Sequence, residues 1–265
     1  MPAPSEPYPV ASDEQVAFFR EHGWIVVKDA LPQAELDLLE AFCDQLLEAK
    51  EALAKDWAWD ASESLDERSF RIVQSSPSFL WRDIREQPYR KWLAAFGSAL
   101  LGREEAFWYD QFIGKPPGKS APTAWHQDEA YWGRNLDDRG VTCWIPLQRV
   151  DAVNGCMHFI DRGHRLGVLQ HHPVPGLQSD QIMCEPDEAD MVVCPIERGD
   201  VTFHHSKTPH MTTANRSDGW RKAVSNHMQE VGAGGEGDHY PWKITEHQGL
   251  DNLRERLAAH RAKAT

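Results

Sequence analysis

From Phe70 onward the chain is written in short runs of β-favouring residues broken by Gly, Pro, Asn and Asp, and this alternation narrows the possible folds more than any other feature. The predicted strands are Ala106 to Ile113, Thr123 to Asp128, Val141 to Leu147, Cys156 to Ile160, Met191 to Cys194, Val201 to His205 and Ala223 to Gln229. Many short strands with turns between them pack as a sandwich or barrel, because a lone sheet would leave an apolar face in water. Ahead of them Ser12 and Gln15 have the form of a capping box for a helix over 13–22, and Trp24 to Val27 reads as a strand. After Pro32, the residues Leu36, Leu39, Phe42, Leu46 and Leu47 recur at helical spacing and predict an amphipathic helix from 33 to about 53. Leu250 to Lys263 has a helical period too, and predicts a short peripheral helix.

No repeat or linker divides the 265 residues, so the expectation is one mainly β domain over 1–265, with its β core at about 70–230 and helices flanking it. Two connections exceed simple turns, Gly167 to Asp190 and the glycine-rich Val231 to Tyr240. The first is the better candidate for a lid, since long loops in compact domains are usually lids or disordered segments.

The 41 acidic and 28 basic residues give a net charge of −13, which repels nucleic acid and anionic lipid surfaces. The opening MPAPSEPYPV has no apolar stretch of the kind that directs secretion, and no later run approaches the roughly 20 apolar residues that span a bilayer. A cytoplasmic location is expected. Five cysteines, Cys43, Cys143, Cys156, Cys184 and Cys194, never fall in a Cys-x-x-Cys pattern, which argues for buried thiols over a disulfide framework or a cysteine zinc site.

The chemistry is concentrated in two places. Trp125-His126-Gln127-Asp128 puts an imidazole and a carboxylate two positions apart, and on a strand two such residues share a face. A third ligand to a metal would come from another strand, and His204, His205 and His210 are the candidates. Asn215 to Gly219 supplies turn chemistry, so a hairpin is expected to bring His210 level with Arg221. Two histidines and one carboxylate on one side of an ion are the arrangement of non-haem Fe(II) oxygenases. An arginine eleven residues past the last histidine can take the far carboxylate of 2-oxoglutarate in a two-pronged grip.

Lys115-Pro116-Pro117-Gly118, Trp125 to Asp128, Trp144, Asn154-Gly155-Cys156-Met157, Gly163-His164-Arg165 and Gly199-Asp200 through His210 to Arg221 occur in one order along nearly the whole chain. In these motifs, and in Glu21-His22-Gly23-Trp24, the sequence resembles the phytanoyl-CoA dioxygenase family. The resemblance implies a double-stranded β-helix, a jelly-roll of cupin type, with one Fe(II) held by His126, Asp128 and His210. It also implies that 2-oxoglutarate chelates the iron and is gripped by Arg221, that O2 is the oxidant, and that succinate and CO2 leave as a C–H bond of a small organic molecule is oxidised.

Carried over by motif position, Gln111, Gln127, Trp144 and Thr212 line the co-substrate pocket, and Arg71 is a further candidate contact. Tyr131, Trp132 and Phe159 are candidates at the mouth, and Trp108, Trp125, Trp132 and Trp144 for apolar walls. Asp128 is an acid where halogenating relatives carry a small residue, so hydroxylation or a related oxidation is favoured. Two other readings stand beside this one: a zinc or manganese cupin hydrolase or isomerase on the same three ligands, and a binding protein without turnover. Neither explains Arg221 together with an intact ligand set. The substrate class expected is a small metabolite, and the oligomeric state is left open.

Overall fold

The computed structural model describes residues 8–48, 55–58, 69–80, 82–118, 120–132, 140–174, 177–178 and 181–231, and the single positions 255, 258, 259 and 262. Helix α1 (Asp13–His22) opens on the expected capping box, in which the Ser12 hydroxyl accepts from the Gln15 N–H at 3.2 Å and the Gln15 side chain accepts from the Ser12 N–H at 2.9 Å. It stops at Gly23, whose φ of 79° is the left-handed cap that glycine adopts without penalty. Strand β1 (Trp24–Val27) follows, then α2 (Gln33–Glu48), which buries Leu36, Leu39, Phe42, Cys43 and Leu46 on one stripe. The last turn predicted for α2, to residue 53, lies outside the described residues.

The remaining elements are β2 (Lys55–Ala58), β3 (Phe70–Ser75), α3 (Arg82–Arg85), α4 (Pro88–Leu101), β4 (Glu105–Lys115), β5 (Thr123–His126), α5 (Asp128–Trp132), β6 (Gly140–Pro146) and β7 (Met157–Ile160). After these come β8 (His172–Pro173), β9 (Leu177–Gln178), β10 (Ile182–Met183), β11 (Met191–Cys194), β12 (Val201–His205), β13 (His210–Thr212) and β14 (Arg221–Glu230). Every strand predicted from the sequence is present, most of them shifted by one or two residues at an end. The 167–190 connection is less plain than the sequence suggests, since β8 and β10 pair with each other and β9 pairs with β2. Beyond Val231 the second long connection lies outside the described residues, as does nearly all of the C-terminal helix; its four described positions are helical.

Three expectations are corrected. Helix α4 is absent from the sequence reading, although Pro88 in its first turn and Gly102 at its left-handed cap mark both ends. Its apolar run is interrupted by Gly97, which is needed for close approach to the sheet: a Cβ there would stand 2.8 Å from Val141 Cγ1. Second, β5 ends at His126 and Asp128 begins α5, so the two residues do not share a strand face. Third, β13 and β14 are not a hairpin, because the first pairs with β5 and β7 and the second with β4 and β6.

Among the described residues every pairing between these strands is antiparallel. The large sheet runs β1-β12-β6-β14-β4-β3-β2-β9 and the small one β11-β7-β13-β5. Together they form the expected double-stranded β-helix. Alternation along the large sheet explains how one layer serves two purposes. Val141, Cys143 and Ile145 of β6, Phe203 of β12 and Val224 and Met228 of β14 join one apolar cluster with α1, α2 and α4. Each large side chain buried there contributes about 1.5–3 kcal/mol. The residues between them, Thr142, Trp144, His204, Arg221, Ala223, Ser225 and His227, therefore turn toward the small sheet. Trp144 and Ala223 meet Met157, Phe159 and Cys194 of that sheet in a second cluster.

Gly155 shows how tightly the Arg221 end is closed. Its φ is 93°, and a Cβ would stand 2.7 Å from the Thr213 carbonyl oxygen. Gly155→Ala is expected to cost about 1–3 kcal/mol in backbone strain and contact, read as a lower melting temperature; an unchanged melt would show that this loop yields freely. Among the described residues no helix is long and apolar enough to cross a membrane, and all five cysteines are buried and unpaired.

Candidate metal centre

His126 and His210 stand opposite each other in the β5–β13 pairing, so their side chains leave the same face. Their ring centroids are 4.1 Å apart. Each ring is oriented by its own backbone: His126 Nδ1 lies 2.8 Å from the Ala124 carbonyl, and His210 Nδ1 lies 2.9 Å from the Thr208 carbonyl. A carbonyl only accepts, so Nδ1 carries the proton and Nε2 presents a bare lone pair. Asp128, from the first turn of α5, brings Oδ1 to 3.9 Å from His126 Nε2 and 3.6 Å from His210 Nε2. One donor atom from each residue falls within 4.8 Å of the others. The register of β13 and the short turn into α5 achieve the convergence that the sequence reading attributed to one strand.

Burial sets the protonation of this cluster. It pushes His126 down to about 4 against the opposing pull of Asp128, and His210 well below the usual histidine range. Both rings are thus neutral near pH 7, as ligation requires. Burial acts to raise Asp128, but the imidazoles of His210, His204 and His227 outweigh it and hold the carboxyl well below its ordinary value. Its second oxygen, Oδ2, accepts from Thr142 Oγ1 at 2.5 Å and lies 3.3 Å from His204 Nε2. Behind Thr142, His227 Nδ1 is 2.9 Å from the same hydroxyl. His205, on the opposite face of β12, instead meets His164, with 5.4 Å between ring centroids.

One step along β6 from Thr142, Trp144 carries the site toward Arg221, whose guanidinium carbon is 5.7 Å from the indole centroid. Arg221 is 1% exposed, and its contact with protein is a marginal 3.4 Å bond from Nη1 to the Ile113 carbonyl. Nε and Nη2 are buried with no hydrogen-bond partner among the described residues. Burial first, and then the charge of Arg71, push it down to about 9. Its cross-strand neighbour Lys115 reaches over to the small sheet, donating to Thr212 Oγ1 at 2.7 Å and to the Thr212 and Thr213 carbonyls at 3.1 and 2.7 Å. This end of the interior is closed by that bridge, and burial together with Arg221 and Arg71 pushes the Lys115 ammonium well below its ordinary value.

The other expected pocket residues divide. Gln111 faces inward, with Nε2 3.2 Å from Ser75 Oγ and Oε1 3.3 Å from His227 Nε2. Thr212 is inside too, with its hydroxyl oxygen taken by Lys115. Gln127 points elsewhere: its amide donates to the Gly167 and Lys207 carbonyls and accepts from the Leu169 N–H at 2.7 Å, pinning the start of the 167–190 connection. Arg71 is buried and donates to the Thr123 hydroxyl. Tyr131 sets its ring edge-on to His126 at 5.7 Å, whereas Trp132 packs with Trp108 and Tyr109. Phe159 lies behind the histidines, stacked on Trp24 at 5.3 Å, and Trp125 packs away with Ile160 and Cys184. The sequence reading missed Thr142 and His227 and gave Lys115 only as part of a motif, without a place in the site; strict alternation along β6 and β14 was the signal that put Thr142 on the face of Trp144 and His227 on the face of Arg221.

Two neutral imidazoles and a carboxylate with hard and borderline donors suit a divalent first-row ion such as iron. The buried guanidinium with two unsatisfied nitrogens suits a carboxylate held farther in. The residues present therefore fit iron and a keto-diacid. That fold and that donor set define a non-haem iron oxygenase of the 2-oxoglutarate-dependent class.

The family model of phytanoyl-CoA dioxygenase (PhyH) matches residues 19–223, and the chain belongs to this family. A probable phytanoyl-CoA dioxygenase of Caenorhabditis elegans is 25% identical over 243 residues, which cover 82% of this chain and 75% of that protein. A probable alpha-ketoglutarate-dependent hypophosphite dioxygenase of Stutzerimonas stutzeri is 29% identical over 140 residues, 47% of each chain. Among solved structures, EvdO2 of Micromonospora carbonacea var. aurantiaca complexed with 2-oxoglutarate aligns with a TM-score of 0.66 at 25% identity, covering 85% of this chain and 94% of that one. SnoK, a non-heme alpha-ketoglutarate-dependent carbocyclase from nogalamycin biosynthesis, gives the same TM-score and identity over 91% and 90%. The chain is an Fe(II)- and 2-oxoglutarate-dependent dioxygenase.

Proposed function

We propose that His126, Asp128 and His210 hold Fe(II), that Arg221 grips the distal carboxylate of 2-oxoglutarate, and that the enzyme oxidises a C–H bond of a small organic metabolite. The observation that carries the reading is the Arg221 guanidinium, buried beside Trp144 with Nε and Nη2 unsatisfied. A buried cation of that kind is costly unless an anion arrives to pair with it.

When bound, iron and 2-oxoglutarate supply the oxidative decarboxylation by O2 that yields succinate and CO2 and the power to attack a C–H bond. The protein's own residues do the rest. His126 and His210 offer Nε2 because Ala124 and Thr208 fix their Nδ1 protons. Trp144 shields the co-substrate's path to Arg221, and Gln111 and Thr212 offer polar atoms along it. Tyr131, edge-on to His126, stands on the side where substrate approaches. No side chain is needed as a general acid or base.

The cytoplasm as location is supported by the five buried, unpaired cysteines. A single domain over 1–265 is supported by the way both sheets draw strands from most of the chain's length. The zinc or manganese hydrolase reading leaves the Arg221 guanidinium without a task.

The test is an anaerobic titration of the Fe(II)-loaded enzyme with 2-oxoglutarate, followed by oxygen and a screen of small metabolites for substrate-dependent succinate release. A visible charge-transfer band and coupled succinate are expected. Tight zinc binding, with no band and no succinate, would replace this reading by the hydrolase.

A further inference from the structure

Asp128 is held from both sides, and the two sides differ. Oδ1 faces the bare Nε2 atoms of His126 and His210 at 3.9 and 3.6 Å. Oδ2 faces the large sheet, where Thr142 Oγ1 is 2.5 Å away and His204 Nε2 is 3.3 Å away. Thr142 is 1% exposed, as is His204. An ionised carboxylate, the form that binds a cation, accepts only, so the hydroxyl at 2.5 Å and the ring nitrogen at 3.3 Å both donate to Oδ2. A hydroxyl has a single proton. If Thr142 gives its proton to Oδ2, its oxygen is left to accept from His227 Nδ1 at 2.9 Å, and the Gln111 amide 3.3 Å from the bare Nε2 then turns its nitrogen to that ring. The His227 ring is fixed by stacking on Tyr109, with centroids 4.2 Å apart and planes 18° from parallel. His204 is fixed in turn between Phe159 and His210.

We propose that Thr142 and His204 are positioning residues that make Asp128 a one-oxygen ligand. Two charge-assisted hydrogen bonds occupy Oδ2, Oδ1 alone is turned to the imidazoles, and the carboxylate cannot swing to offer both oxygens to one ion. The consequence is a coordination position kept open. A two-oxygen carboxylate takes a position that a chelating keto-acid and O2 together require. The inference rests on the assignment of Asp128 as a ligand and adds the cause of its denticity. His204 is thereby read as a donor to the carboxylate and not as a fourth ligand, in accord with the trio of donor atoms from which it is absent.

The experiment uses the full chain loaded anaerobically with Fe(II). Thr142→Val and His204→Ala, and the pair combined, are expected to keep Fe(II) affinity within about threefold of the parent. In the combined variant 2-oxoglutarate should still give its charge-transfer band, but the decay of that band on mixing with O2 should slow at least about tenfold. Thr142→Ser alone, which keeps the hydroxyl, should decay at the parent rate. An unchanged rate of band decay in the combined variant would overturn the proposal, and so would a loss of iron in His204→Ala as large as that in His126→Ala. Should the combined variant fail to fold, a crystal structure of the iron-loaded parent decides: iron on Oδ1 alone supports the proposal and iron on both oxygens overturns it. Asp128→Ala separates the two levels, because iron affinity unchanged in that variant refutes the ligand assignment itself.

Discussion

Replacing Arg221 by leucine will weaken 2-oxoglutarate binding by about 100-fold or more, as expected when two hydrogen bonds to a charged group are lost at about 1.5–3 kcal/mol each. Fe(II) affinity will stay within a few-fold, because the guanidinium is not among the three donor groups that converge at the metal centre. The same substitution will make the protein more stable in the absence of co-substrate. The side chain is buried with Nε and Nη2 unsatisfied, and its pKa is pushed down to about 9, so the charged form is disfavoured in the fold. Exchanging such a charge for a well-packed apolar side chain stabilises proteins by about 1–4 kcal/mol. Calorimetric titration with 2-oxoglutarate and a thermal melt of the same sample check both halves. Equal co-substrate affinity in the variant would detach Arg221 from 2-oxoglutarate, and a lower melting point would mean that the guanidinium is already satisfied.

The metal-free protein will lose stability steeply between pH 6.5 and pH 4. Burial pushes His126 and His227 down to about 4, and His210 falls well below the ordinary value as well. Between about 4 and the unfolded value near 6.5 the unfolded chain binds more protons than the native one. Stability therefore rises with pH across that window and is lost as pH falls through it. At pH 5 each of the first two rings accounts for about 2 kcal/mol by this linkage, less where they share one site. Asp128, held well below 3.8, keeps its charge throughout the window and does not alter the sign. Denaturant midpoints at pH 7 and pH 5 measure the loss. Saturating Fe(II) should reduce it, because protons and metal compete for the same nitrogen atoms. Equal midpoints at the two pH values would show that the rings are not held neutral by burial.

Most of the β scaffold was legible because its signals are local: alternation, turn residues and β-branched runs mark strands without knowledge of their partners. The capping box before α1 and the leucine stripe of α2 were legible for the same reason. Helix α4 was overlooked because no side chain caps its start and Gly97 breaks its apolar run, a glycine whose purpose lies in a contact with Val141. Type and spacing put His126 and Asp128 forward and left His204, His205 and His210 as candidates for the third ligand, among which the family resemblance chose His210; the geometry supposed for the site was wrong twice. Asp128 reaches the site from α5, and Arg221 reaches it from the sheet opposite β13. Gln127 shows the limit of reading motifs: its place between two ligands suggested a pocket residue, and its amide proved to be spent on Gly167, Leu169 and Lys207. Thr142 and His227 carry no motif at all. They matter through a pairing of β6 with β14 that only the folded chain displays.

Asp128 spans the gap between the layers: one oxygen looks toward histidines of the small sheet while the other is bonded to Thr142 and His204 of the large one. A cation seated on the first oxygen would act as a rivet through the sandwich. At a free concentration one hundred times its dissociation constant, such a rivet adds about 2.7 kcal/mol to the native state. A cell short of iron would then carry less of this polypeptide as well as a smaller active fraction, since unriveted copies open more often and proteases reach them first.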